Sequence, residues 1–192
     1  MSAQEGARFL LMAGVVPLWI LAGLADWWCH RRTAIERTSG LRENLFHWLL
    51  FAEAGAALGA VAVLQVNAAL LLLVAAAFLV HELTTFIELR YTVPRREVAP
   101  LEQMIHSFME ILPLGLLGLL AVMGWDQLLA QGGAPDFAPR VMRTPWPPAY
   151  LLAVAGAVLL FNVLPLAEEA LRCWRARGLP PRPGTPPPPA PT

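Results

Sequence analysis

The stretch His81–Glu110, HELTTFIELRYTVPRREVAPLEQMIHSFME, ends one apolar segment, passes through a loop with proline and arginine, and begins another apolar segment. It carries two of the chain's four histidines and five glutamates. Ionisable side chains at the edge of apolar helices are costly to bury, so they mark candidate functional sites. The stretch therefore predicts a polar site at one end of a set of apolar helices.

The composition of the whole chain is that of a membrane protein. Of the 192 residues, 57% are hydrophobic and 15% are charged, whereas a soluble domain has about 45–50% apolar and about 25% charged residues. The formal net charge is zero, so no basic field favours nucleic acid as a partner. These values predict an all-α integral membrane protein whose partner is the lipid bilayer.

Five segments are long and apolar enough to span a bilayer, which takes about 20 helical residues. They are expected near residues 9–32, 43–65, 68–90, 100–125 and 149–172. The first four are expected to form a four-helix bundle within a single domain, residues 1–177. The proline-rich segment 178–192 is expected to be extended and disordered.

The distribution of arginine predicts the orientation of these helices. Eleven arginines lie in the connector after the first helix, the loop after the third and the C-terminal tail, and three lie on the opposite side. The positive-inside rule then places the N-terminus outside and the C-terminus in the cytoplasm. We expect the chain to lie in a bacterial inner membrane, with the polar site at the cytoplasmic end.

All four histidines fall at the same predicted depth, together with most of the acidic residues, while the opposite halves of the helices are apolar. At 100° per residue, acids spaced four or seven residues from a histidine share its helix face. Each of the first four helices offers one histidine and at least one such acid. The residues on these faces are Asp26, His30, Glu43, His47, His81, Glu88, Glu102, His106 and Glu110.

Imidazole and carboxylate ligands together suit iron, zinc, manganese or copper. We therefore predict that these nine residues hold two metal ions, with iron favoured and zinc or manganese possible. Other polar residues at the same depth are expected to support the ligands, as outer-shell partners do in metal proteins. These are Glu53, Glu82, Thr85 and Ser107.

Two consecutive arginines, Arg95 and Arg96, follow the third helix and are expected at the mouth of this site. A guanidinium group matches the geometry of phosphate and carboxylate groups, so the pair is a candidate site for an anionic lipid headgroup. Anchoring of the loop at the inner membrane surface is an equally good explanation.

Three runs of sequence, DWWCHRR, HELTTFIELRYTVPRREV and PLEQMIHSFMEILPL, resemble those of a small uncharacterised bacterial inner-membrane family. The resemblance covers the first four helices and implies no activity. In ligand types and placement the chain is also similar to di-metal four-helix proteins, whose helices carry Glu-x-x-His pairs. Here the acid and the histidine are four residues apart on the first, second and fourth helices, and seven apart on the third.

These observations favour a metal-dependent membrane oxidoreductase that acts on a lipid, a quinone or another apolar molecule at the cytoplasmic leaflet. A metal or proton transporter, a metal sensor and a zinc-dependent hydrolase are the alternatives. A single histidine near a membrane interface is usually only a solvated residue, so the prediction depends on the whole set. The remaining acids are assigned to ordinary ion pairs at the interface: Glu36, Glu97, Glu168 and Glu169.

Overall fold

Five long helices make up the computed structural model, which describes residues 1–131, 133–143 and 145–178. They are α1 (Ala3–Thr33), α2 (Leu41–Val63), α3 (Ala68–Thr92), α4 (Pro100–Met123) and α5 (Pro148–Arg175). Each is long and apolar enough to cross a membrane, which confirms the prediction of an all-helical chain with five such helices. Apart from Gly178, the tail predicted to be disordered (178–192) lies outside the described residues.

Local capping explains where several helices begin. The start of α1 at Ala3, earlier than predicted, follows from a capping box: the Ser2 hydroxyl accepts from the Glu5 amide, and the Glu5 carboxylate accepts from the Ser2 amide. The Asn67 side chain caps α3 as predicted, accepting from the Leu70 amide at 3.1 Å. Pro100 is the first residue of α4, where its missing N–H costs nothing.

One turn of π-helix interrupts α1 at Leu11–Val15, and another interrupts α5 at Leu159–Val163. Asn162 lies in the second of these turns, and its side-chain amide donates to the carbonyl of Ile20 on α1 at 3.1 Å. Irregular turns of this kind often occur at functional sites. Here the turn points a polar side chain of α5 toward the backbone of α1 and so joins the two helices.

The two ends of the molecule differ in chemistry. One end is closed by an apolar core and by residues of the loop after α4, whose backbone bonds to the end of α2: the Gln65 amide donates to Arg140, and the Met142 amide donates to Val63. The buried apolar residues of this core are Leu11, Val16, Val61, Leu70, Leu71, Val74, Leu116, Leu120 and Trp146.

The other end contains most of the buried ionisable side chains. Here α5 packs against both α1 and α2 through its segment Leu164–Arg175. Side chains from α5 therefore reach this end together with those of the first four helices, to which the sequence had assigned the site. Many large apolar residues on all five helices are exposed, as contact with lipid requires.

Gly23 provides a test of the contact between α1 and α5. A Cβ atom at this position would overlap the side-chain amide nitrogen of Asn162. We expect Gly23→Ala to displace Asn162 from the Ile20 carbonyl and to lower the free energy of unfolding by about 1–3 kcal/mol. Thermal unfolding of the detergent-solubilised protein measures this effect.

Gly59→Ala is the matched control, because a Cβ atom there meets no other atom within 4 Å. Alanine is the better helix former by about 1 kcal/mol, so this variant should be as stable as the parent protein or slightly more stable. Equal stability of the two variants would contradict the close approach of α1 and α5.

Candidate metal centre

His30 on α1 lies at the centre of the polar end and is only 1% exposed. Its Nδ1 atom is 3.0 Å from a carboxylate oxygen of Glu169 on α5. Its Nε2 atom is 3.2 Å from Glu102 on α4 and 3.4 Å from Asp26 on α1. One buried imidazole therefore touches carboxylates from three helices.

The carboxylate of Glu169 links two histidines. Its second oxygen lies 3.0 Å from Nδ1 of His47 on α2, and it also accepts a hydrogen bond of 2.9 Å from the Asn44 side chain. The rings of His30 and His47 are stacked, with centroids 4.5 Å apart and an angle of 11° between the planes. Both imidazoles are consequently held in defined orientations by one fully buried acid.

His106 on α4 completes the group of three imidazoles. Its Nε2 atom lies 2.8 Å from the carboxylate of Asp26, and its ring centroid is 6.3 Å from that of His30. Asp26 therefore contacts His30 and His106 with the same oxygen atom. We call the eight residues that meet here the polar cluster: Asp26, His30, Glu43, His47, Arg96, Glu102, His106 and Glu169.

Arg96 is the one arginine of the polar cluster. It lies in the loop between α3 and α4, yet it is only 5% exposed. Its Nε atom donates to both oxygens of Glu43, at 3.1 and 3.2 Å, and its Nη2 atom donates to Glu43 and Glu102. Burial alone would lower the pKa of Arg96, but the hydrogen bonds to these carboxylates outweigh it and raise the pKa. The guanidinium therefore stays charged.

The polar cluster carries more acid than fixed base. Four carboxylates contribute −4 and Arg96 contributes +1, so the cluster has a charge of −3 when the three imidazoles are neutral. Taking ions out of water costs several kcal/mol each unless opposite charges and hydrogen bonds compensate. Protons on the imidazoles or on the carboxylates, or a bound metal cation, must balance the remaining negative charge.

Two groups within the cluster have the proximity that metal ligands need. Within each group, one potential ligand atom from every residue lies within 4.8 Å of the others. The first group is Asp26, His30, Glu102 and His106. The second group is His30, Glu43 and His47. His30 belongs to both groups, and because a neutral imidazole has one free nitrogen lone pair, it would bind metal in one group at a time.

Some buried polar atoms of the first group lack hydrogen bonds. His30 Nε2 and Glu102 Oε2 are both buried without a partner in hydrogen-bonding geometry. Buried donors and acceptors are nearly always hydrogen-bonded, so two such atoms without hydrogen bonds in one cluster need an explanation. Both atom types are good ligands for a transition metal.

A cavity of about 210 Å³ adjoins the polar cluster. All four histidines line it, together with Asp26 and Glu169. Away from these residues its wall is mainly apolar, and it comes from all five helices. The apolar lining includes Trp19, Ile20, Leu50, Phe51, Val154 and Val158.

His81 and Glu88, both on α3, lie apart from the two groups of ligand atoms. His81 Nδ1 is 3.3 Å from Glu53 on α2, and the hydroxyl of Thr84 donates to the other oxygen of Glu53 at 2.8 Å. Glu88 accepts a hydrogen bond from Thr92. Glu110 lines the cavity beside His106 without entering either group. The sequence had grouped His81, Glu88 and Glu110 with the other ligands, and the structure does not bring them there.

The residues expected to support the ligands have separate environments. Thr85 lines the cavity and donates to the carbonyl of His81, one turn before it. Glu82 has a buried carboxylate oxygen without a hydrogen-bond partner. Ser107 is exposed and bonds only to the carbonyl of Gln103 within its own helix, so it does not support the cluster in this arrangement.

The two consecutive arginines differ in position, which corrects the expectation that both face an anionic headgroup. Arg96 is buried and engaged by two carboxylates, so its guanidinium is not available to an external anion. Arg95 is half-buried, with its guanidinium 3.9 Å from the centroid of the Tyr91 ring and bonded to the Tyr91 carbonyl. Of the pair, only Arg95 lies near the surface.

Glu169 is the cluster residue that the sequence analysis assigned to the wrong class. It was grouped with Glu36 and Glu168, which do form ion pairs, both with Arg172. Glu169 is instead fully buried between two histidines. Its position on an apolar helix, at the depth of the histidines, was the signal that could have identified it. Asn44 was also missed, and its position after Glu43 gave no separate signal.

Comparison with known proteins does not assign the chain to a family. No family model, no curated protein and no solved structure matches it. Function is therefore inferred from the chemistry of the polar cluster and of the cavity beside it.

Arg96→Met tests the electrostatic balance of the cluster. The substitution leaves Glu43 and Glu102 buried without their guanidinium partner, and such a loss typically destabilises a protein by about 3–5 kcal/mol. We expect a marked fall in the thermal stability of the detergent-solubilised protein.

Arg95→Met is the control, since it removes a neighbouring arginine that contacts Tyr91 rather than the buried acids. Its effect on stability should be much smaller. Equal losses in the two variants would show that Arg96 acts through general surface charge and not through the buried pair.

Proposed function

We propose that the chain is a metal-dependent membrane oxidoreductase that acts on an apolar substrate. The observation that carries this proposal is a cluster of three imidazoles and four carboxylates beside a largely apolar cavity, whose wall includes the three imidazoles, Asp26 and Glu169. Ligands of these types suit a transition metal, and a mainly apolar cavity suits a hydrophobic molecule.

The charge of the polar cluster supports a metal ion over protonated imidazoles alone. Full neutralisation by imidazole protons would place positive charge on all three rings, although two of them are stacked at 4.5 Å. Like charges at that distance disfavour each other strongly away from water. One divalent ion changes the charge of the cluster from −3 to −1 without protonating any imidazole.

Two metal ions are proposed because there are two groups of ligand atoms and one acid between them. Glu169 contacts the histidine shared by both groups and also His47, so a carboxylate is available on the side where the second group lies. Carboxylate-rich sites within helical bundles commonly hold pairs of iron or manganese ions. Iron is favoured because a redox-active metal is needed for oxidoreductase chemistry, and manganese and zinc suit the same ligands.

The residues around the ligands would fix the site and exclude water. Arg96 holds Glu43 and Glu102 in place from the loop side, and Asn44 orients Glu169. The bound metal would supply the redox chemistry. The apolar wall would hold the substrate against the histidine side of the cluster.

The location of the site in the cell is also a proposal. The arginine-rich ends of the helices lie beside the polar cluster, so the positive-inside rule places it at the cytoplasmic leaflet of a bacterial inner membrane. A lipid, a quinone or another apolar molecule of that leaflet could then reach the cavity directly.

A zinc-dependent hydrolase is the second candidate, and one specific feature favours it. The first group offers Asp26, His30 and His106 as three ligands, with Glu102 next to them. Three protein ligands and an adjacent acid are what a catalytic zinc ion needs to activate water. A transporter is less well supported, because fully buried leucines fill the core at the opposite end: Leu11, Leu116 and Leu120.

Metal analysis of the purified protein tests the binding site. We expect bound transition metal in the parent protein and its loss in His30→Ala, because His30 belongs to both ligand groups. His47→Ala and His106→Ala should each lose part of the metal. His81→Ala is the matched control and should retain it, because His81 contacts Glu53 instead.

A parent protein without metal, or a His30→Ala variant with unchanged metal content, would contradict this site. Thermal stability of each variant is measured in parallel, so that loss of metal is distinguished from loss of fold.

Lipid analysis of membranes from cells that express the protein tests the reaction class. An oxidoreductase should produce apolar molecules that are one oxygen atom heavier or two hydrogen atoms lighter than their precursors. These products should be missing with His30→Ala and present with Gly59→Ala, because Gly59 lies outside the cavity lining. Products formed by addition of water and cleavage would instead identify the hydrolase.

A further inference from the structure

The cavity beside the polar cluster is long. On α1 its lining extends from Val16 to His30, and on α5 it extends from Val154 to Glu169. At 1.5 Å per residue, either span is about 20 Å along the helix axis. One leaflet of the hydrocarbon core, half of about 30 Å, is shorter than this. An extended lipid chain therefore fits the length of the cavity.

The cavity is also small for the length of its lining, since its volume is about 210 Å³. A bulky ring system would need a wide chamber, whereas a linear hydrocarbon chain needs only a slot. The lining of the slot away from the cluster is aliphatic and aromatic, from residues such as Ile20, Leu58 and Val154. Volume and lining therefore favour a linear hydrocarbon chain over a bulky ring system.

The contacts of α5 favour an opening toward the bilayer between α2 and α5. The segment Leu164–Arg175 of α5 packs closely on α2, whereas Pro148–Val158 has few close contacts with it. In the most apolar stretch of α5, which is 18 residues long, no residue is buried. Gly55 on α2 lines the cavity and is exposed at the same time, as expected for a residue beside such an opening.

We propose that this cavity takes up the hydrocarbon chain of a membrane lipid, which enters sideways between α2 and α5. The inference rests on the proposed function, because it specifies the substrate class of the same site. The polar cluster lies close to the ends of its helices: His30 precedes the end of α1 at Thr33, and Glu102 follows the start of α4 at Pro100. The lipid headgroup therefore lies near the cluster, and the chain end lies near Val16 and Leu58.

A photoreactive lipid tests this arrangement. The probe is palmitic acid with a diazirine at the methyl end of the chain, added to the full-length protein in lipid nanodiscs and cross-linked by light. Mass spectrometry of peptides should place the label at the apolar end of the cavity. The expected peptides contain residues 16–20, 54–58 and 154–158.

Gly55→Leu should abolish this labelling, because a Cβ atom at Gly55 meets no other atom within 4 Å and the added side chain would fill the slot. Gly59→Leu is the matched control. Gly59 lies one turn further along α2 and outside the cavity lining, and a Cβ atom there also meets no other atom within 4 Å. It should leave the labelling unchanged, and both variants should fold because leucine favours helix more than glycine does.

Two further probes identify the source of the chain and exclude other ligands. A phosphatidylethanolamine with the same diazirine separates uptake of a whole phospholipid from uptake of a free fatty acid. Labelling of the parent protein by either probe that is lost in Gly55→Leu supports the proposal. A steroid diazirine represents rigid ring compounds. Labelling by the steroid alone would overturn the proposal.

Equal labelling of the Gly55→Leu and Gly59→Leu variants would also overturn the proposal. Label found only on lipid-facing residues of α3, such as Leu72 and Leu79, would overturn it as well. Failure here is distinct from failure of the proposed function, because cross-linking does not depend on bound metal. Metal content and labelling are therefore measured on the same preparation.

Discussion

The burial of four carboxylates around one histidine is the constraint on which the polar end of this protein depends. Asp26, Glu43, Glu102 and Glu169 come from four different helices and are each at most 8% exposed. Charges taken out of water disfavour the folded state unless cations accompany them. Because folding itself brings these acids together, the compensating cations must be in place when the helices pack. Arg96 supplies one of them from the loop between α3 and α4, which explains why this loop folds inward.

The rest of the fold is arranged around that requirement. Apolar side chains pack at the opposite end, where Leu11, Leu116 and Leu120 are fully or almost fully buried. The apolar area buried at this end stabilises the packing of the helices. The helix α5 is attached mainly through its second half, by Glu169 in the cluster and by Asn162 against α1. Its first half has fewer close contacts with the other helices, and the cavity extends along it. The helix that supplies the central acid is thus also the helix that leaves space for an apolar molecule.

The sequence was sufficient to predict the helices and the depth of the ionisable residues, because apolar length and spacing report on both. It could not predict how each helix is rotated about its axis. His81 was therefore grouped with the other three histidines, although it faces Glu53 on α2. Consecutive residues on a helix point about 100° apart, so Glu168 and Glu169 have different environments despite identical chemistry. The same limit applies in the loop, where Arg95 lies near the surface and Arg96 is buried.

The two candidate ligand groups are not equivalent, and the reason is again Arg96. Both oxygens of Glu43 already accept hydrogen bonds from its guanidinium, whereas Glu102 shares one oxygen and keeps Oε2 without a hydrogen bond. The group with Asp26, Glu102 and His106 can therefore accept a cation without disturbing Arg96. A cation at the group with Glu43 and His47 shares that carboxylate with the guanidinium. Under the proposed function, the first group is therefore filled first, and a cation in the second group binds Glu43 while Arg96 holds it.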